Sequence, residues 1–126
     1  MKIKSFKDLI VWQKSMDLIT NVYKISNGLP KQENFGLASQ VQRAAVSIAS
    51  NIAEGSKRSS RADFKHFCTI AIGSAAELET QLIVIGQIYP FIPLQNTIEE
   101  INEIQKMLSS LINRLGSVSQ TKNYQL

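Results

Sequence analysis

The sequence predicts an all-α fold, an antiparallel up-down-up-down four-helix bundle. Three observations predict it. Apolar residues recur at helical spacing in four separate stretches, and nowhere in the sequence is there the alternation of a strand. Each stretch is bounded by capping or stop signals. The connections between them are short, so successive helices must run antiparallel. At 126 residues the chain can close one core, and 44% apolar with 19% charged residues suits a packed globule. The bundle is expected over residues 1–116, with a flexible polar tail at 117–126.

Ser5, with Asp8 three residues on, resembles a capping box and opens the first helix, which Gly28-Leu29-Pro30 ends. Leu9, Trp12, Met16, Ile19 and Tyr23 share one face and read as its core stripe. A second apolar row, Val11, Leu18, Val22 and Ile25, lies about 180° away at 100° per residue. A monomeric surface helix carries one stripe, so this row is expected to be an interface between copies of a homo-oligomer. A wide core covered by loops is the other reading.

The second helix is expected from about residue 34 to 54, with Leu37, Val41, Ala44, Ile48 and Ile52 inward and Gly55 ending it with a positive φ. Small residues Ala38, Ala45, Ala49 and Ala53 line one flank. Gln40, Arg43, Ser47 and Glu54 line the other, and polar groups beside a core need partners. Ser60 and Asp63 cap the third helix, whose stripe from Phe64 through Ala71, Leu78 and Ile85 runs up to Pro90. Ile70, Ile72, Ile83 and Ile88 fall outside that stripe. Glu79 sits at its edge, which makes Arg43 with Glu79 the expected interhelical pair, and Glu54 is matched with Arg58 or Arg61. Pro90-Phe91-Ile92-Pro93 interrupts, and Thr97 with Glu100 opens a last, one-sided helix with Ile101, Ile104, Leu108, Leu111 and Leu115 inward.

Little in the chain suggests catalysis. His66 and Cys68 lie roughly 200° apart on a helix and cannot share a metal. There are no Glu-x-x-His pairs and no glycine-rich phosphate loop, and Glu77 and Glu79 face different ways. The expectation is no catalytic residue, no metal and no cofactor. A single cysteine implies a reducing compartment, and no apolar run reaches the roughly 18 residues of a membrane span, so the chain reads as cytoplasmic. Residues 1–66 hold 11 Lys+Arg against 5 Asp+Glu, and residues 67–126 hold 3 against 5. Lys57, Arg58, Arg61 and Lys65 cluster around one hairpin, where they can meet nucleic-acid phosphates without sequence preference or simply face solvent.

Phe6-Lys7-Asp8-Leu9, Val11-Trp12-Gln13-Lys14, the run from Gln40 to Ile48, Ser50-Asn51-Ile52-Ala53-Glu54-Gly55 and the run from Ala71 to Glu79 together resemble a known family. It is the family of four-helix-bundle proteins encoded in intervening sequences of bacterial 23S ribosomal RNA genes. The resemblance covers roughly residues 5–115 and implies a ring-shaped homopentamer. It also implies kinship with the accessory variability determinant of diversity-generating retroelements, which binds nucleic acid and a reverse transcriptase through a basic surface. At Arg43, Asn51, Glu54, Gly55, Glu77 and Glu79 the resemblance implies fold or assembly roles. Two functions follow as expectations: an oligomer contacting RNA or DNA through its basic hairpin, or a scaffold that docks a protein partner.

Overall fold

A computed structural model describes residues 5–123, with side chains for residues 5–116. Four helices, α1 (Ile10–Asn27), α2 (Leu37–Ser56), α3 (Arg61–Ile88) and α4 (Gln95–Asn123), follow one another, with single 3-10 turns at Phe6–Asp8 and Lys31–Glu33. α1 packs on α2 and α4, and α3 packs on α2 and α4, with no diagonal packing among the described residues. The fold is therefore the four-helix bundle that the periodicity predicts. Cross-links set its register. Gln42 Nε2 donates to Ser26 Oγ at 2.8 Å, Ser47 and Ser74 hydroxyls meet at 2.8 Å, and Gln105 Nε2 donates to Glu79 Oε1 at 3.0 Å. Asn21 Nδ2 spans both oxygens of Glu100, at 2.9 and 2.8 Å.

Helix boundaries follow local chemistry. Ser5 caps only the 3-10 turn, accepting from Lys7 N at 3.1 Å, and extended Leu9 (φ −76°, ψ 124°) separates that turn from α1. Ser60 caps α3 as expected, its Oγ accepting from Asp63 N at 3.0 Å. α4 opens at Gln95, two residues before Thr97, and its backbone stays helical to Asn123. The side chains of 117–123, and residues 124–126, where the polar tail was expected, lie outside the described residues.

Two expectations about the helices are corrected. Gly55 does not end α2 with a positive φ, since no glycine among the described residues has one. The helix runs through it to Ser56, and a Cβ on Gly55 would lie 2.7 Å from Phe67 Cβ and 3.0 Å from Phe64 Cδ1. Gly55 is small because α3 crosses it, not because the chain turns there. The second correction concerns α1. Val11, Leu18, Val22 and Ile25 are 5, 0, 0 and 9% exposed within a single chain, so they are core and not an interface between copies. Met16 and Tyr23, each 41% exposed, point outward instead. The inward row is continuous once Ser15 joins it: this serine is fully buried because its hydroxyl donates to Val11 O at 2.7 Å. A polar residue whose hydrogen bond is satisfied by its own helix thus takes a place in the core row.

The centre of the bundle comprises Leu18, Val22, Val41, Ile48, Ile52, Leu78, Leu82, Ile101, Ile104 and Leu108, all 0–1% exposed. Each such side chain contributes about 1.5–3 kcal/mol by leaving water. α3 has a surplus of apolar residues. By length and composition it alone among the described residues suffices to cross a membrane (mean hydropathy 1.4), although no single unbroken run shows it. Here it packs between α2 and α4, leaving Ile70, Ile83 and Ile88 39, 48 and 55% exposed.

Candidate nucleic-acid interface at the α2–α3 end

The close approach at Gly55 lets α2 and α3 join through only Lys57, Arg58, Ser59 and Ser60. The backbone is tied down by Lys57 N donating to Glu54 O at 3.2 Å and Arg58 N to Gly55 O at 3.1 Å. Arg58 is then held from two sides. Its Nη2 lies 2.9 Å from Glu54 Oε2, and its guanidinium carbon stands 4.7 Å over the Phe67 ring, whose other neighbour is the edge-on His66 ring at 5.6 Å. Both partners of the ion pair are about half exposed, at 44 and 55%, so it adds at most about 1 kcal/mol. Its main effect is positional.

The four cations named from the sequence do lie at one end of the bundle, but they are not equivalent. Lys57 and Arg61 are exposed with no ion-pair partner among the described residues. Arg58 shares its charge with Glu54, the carboxylate expected to pair with it or with Arg61. Lys65 is half-buried and lies against α4, its Nζ 2.9 Å from where a Cβ on Gly116 would stand.

Antiparallel folding adds cations that sequence order had kept apart. The half of the bundle with the α2–α3 loop also takes Lys7 from the start of the chain and Arg114 from α4, facing Asp8, Asp17, Glu54 and Asp63, while Lys14 of α1 pairs with Glu103 of α4 at 3.5 Å between the two ends. The opposite half holds Lys24, Lys31, Arg43 and Lys106 against Glu33, Glu77, Glu79, Glu99 and Glu100. The sign of the charge thus reverses from one end to the other. The charge contrast between chain halves was legible, but its arrangement end to end needed the helix order.

The Arg43–Glu79 pair does not form. Arg43 is exposed beside the groove that Tyr23, Gln42 and Val46 line between α1 and α2, while Glu79 faces α4 and takes Gln105 as its partner. The reason is register: Ser74 faces Ser47 of α2, and five residues further on a helix has turned about 140° away. Asn51 instead fills the polar flank, its Nδ2 donating to Ser47 O at 2.8 Å and Ser47 Oγ at 3.0 Å. Behind this end Cys68 is fully buried, and that burial pushes its thiol up to about 12, so at neutral pH it is not a nucleophile.

Comparison with known proteins adds a family. A family model described as 23S rRNA-intervening sequence protein matches residues 7–110, from the first turn through the basic loop to the middle of α4. Among solved structures, the chain is similar to a crystal structure from Bacteroides thetaiotaomicron. That structure is of a protein of unknown function from the S23 ribosomal protein family, with a TM-score of 0.72 and 30% identity over 82% of this chain and 98% of the other. No curated protein matches the chain. The match over residues 7–110, with the 30% identity shared over 98% of the Bacteroides chain, leads to one conclusion: this chain belongs to the 23S rRNA-intervening sequence protein family.

Proposed function

We propose that this chain is a non-enzymatic, self-associating cytoplasmic bundle that contacts the phosphate backbone of RNA or DNA through its α2–α3 end. The observation that carries the reading is the collection of Lys57, Arg58, Arg61, Lys65, Lys7 and Arg114 at one end of a bundle whose other end is acidic. Four hairpin cations neutralise at most about four phosphates, a salt slope near −3.6 for duplex DNA, so one copy binds weakly at physiological salt. Several copies engaging one polyanion gain avidity without new contacts. The apolar residues left outside, Met16, Tyr23 and Val46 (40–41% exposed), supply a surface for self-association in place of the buried Leu18 row. The family resemblance makes five the expected number of copies.

The test is a salt titration of binding to labelled RNA and duplex DNA, with particle mass followed in parallel. Binding should be sequence-tolerant and fall steeply with salt, and Arg58→Glu with Arg61→Glu should abolish it at unchanged mass. Tyr23→Asp should dissociate the assembly and keep its helix content, whereas Leu18→Asp should unfold the chain. An intact oligomer that binds neither polymer in low salt ends the nucleic-acid reading. The scaffold reading rests on its own observation: Phe35, Phe91 and Ile88, at 99, 72 and 55% exposed, crowd the opposite end, where a protein partner would cover them.

A further inference from the structure

At the acidic end, the last turns of α1, the α3–α4 connection and the first turn of α4 enclose a cleft of about 600 Å³, a size typical of small-molecule sites. Ile25, Ile92, Pro93 and Phe91 give it apolar walls, and Lys24 stands at its edge with no ion-pair partner among the described residues. α4 presents its amino end here. The first α4 backbone bond runs from Ile98 N to Leu94 O at 3.0 Å, so the amides of Gln95, Asn96 and Thr97 make none, and Leu94 has no side chain that can accept from them. Free amides and the helix dipole together favour an anion.

Thr97 is the independent sign. It lines the cleft, it is only 6% exposed, and its hydroxyl has no hydrogen-bond partner among the described residues. A polar side chain that well buried is ordinarily bonded. The one fully sealed unpartnered side-chain atom among the described residues is Gln81 Oε1, so the Thr97 hydroxyl opens onto the cleft. We propose that this cleft binds a carboxylate carried on a small apolar body.

The carboxylate receives the α4 amides and the Thr97 hydroxyl, with Lys24 opposite. The apolar body covers Ile25, Ile92 and the inner face of Phe91, whose ring is otherwise 72% exposed. Charge selects a carboxylate over a phosphate. Glu100, held by Asn21, and Glu99, held by Gln95 at 3.0 Å, both belong to side-chain pairs whose partners line the cleft. A single negative charge tolerates that surrounding better than a dianion does. The site lies at the far end from the basic loop, so it stands or falls independently of nucleic-acid binding.

The experiment uses the full-length, isotopically labelled protein and follows the backbone amides of Gln95, Asn96 and Thr97 on titration with phenylacetate and with its neutral isostere phenylacetamide. Phenylacetate should give saturable shifts at those amides and phenylacetamide should not. Thr97→Val should weaken phenylacetate about tenfold and Thr97→Ser should restore it, with helix content and particle mass unchanged. A short peptide ending in phenylalanine, compared with its C-terminal amide, separates the two sources of such a group. Binding of the free-acid peptide more tightly than phenylacetate identifies a polypeptide C-terminus, and the reverse order identifies a free small acid. Equal shifts with phenylacetamide, no saturable shift with any acid, or an unaltered Thr97→Val affinity would each overturn the proposal.

Discussion

At the α2–α3 end the chain reverses in four residues over a glycine that has no room for a methyl group, and the loop's arginine is pinned by a carboxylate and an aromatic ring. At the opposite end the connections 28–36 and 89–94 are longer and leave Phe35 and Phe91 in solvent. They are tied together by Tyr89, whose hydroxyl donates to Glu33 Oε2 at 2.6 Å. The first end is ordered by close packing and presents cations. The second is ordered by polar ties and presents apolar surface and carboxylates. A tight turn places charges at fixed positions, which suits a repeating polyanion, whereas longer connections leave a cleft.

Five measurements bear on that contrast, the largest expected effect first. Behind the tight end, Cys68 ionises near 9.0 when unfolded but only at about 12 when folded. Its neutral form is favoured in the folded state, so this contribution is complete below pH 9 and is lost as pH rises toward 12. Unfolding free energy should fall by about 1.4 kcal/mol per pH unit across that window, and Cys68→Ala should flatten the slope in denaturant melts. An unchanged slope in Cys68→Ala would place the thiol outside the core. Next, Gly55→Ala should destabilise by about 1–3 kcal/mol through overpacking against Phe67 and Phe64, despite the better helix propensity of alanine.

At the looser end a single hydrogen bond is at stake. Tyr89→Phe should lower the melting temperature only slightly, as expected for loss of one bond to a partly exposed carboxylate. That same bond holds the Tyr89 phenol above its ordinary range, with burial and the charge of Glu33 adding to it. Alkaline titration of its absorbance should therefore shift downward in Glu33→Gln. The smallest effect has the opposite sign. Gly73 lies on the outer face of α3 with nothing within 4 Å of an added Cβ, so Gly73→Ala should stabilise by about 0.5–1 kcal/mol. If Gly55→Ala and Gly73→Ala changed the melting temperature alike, the close crossing at the basic end would be wrong.

Much of the bundle is legible in the sequence. Ser60 with Asp63, the Pro90–Pro93 break and the stripe of α4 each act within a few residues, and each appears where local chemistry demands it. The candidate cations were readable too, because a hairpin keeps Lys57, Arg58, Arg61 and Lys65 close in space as in sequence. The accompanying Lys7 and Arg114 were not, since they reach that end only through the antiparallel return of the chain. Thr97 was legible only as a capping residue. Its lack of a partner depends on what α1 and the α3–α4 connection place around it.

The sequence by itself determined how many helices form, roughly where each lies along the chain, and which of their faces are apolar, because hydrogen bonds and capping act between near neighbours. Only the tertiary structure decided which of two apolar faces of α1 turned inward, why residue 55 is glycine, and that Glu79 serves α4 and not Arg43. Those choices depend on the rotation of each helix about its own axis. That rotation is set by all of its neighbours at once: a buried serine can continue a core row, and five residues along α3 turn a side chain from one partner helix toward the other.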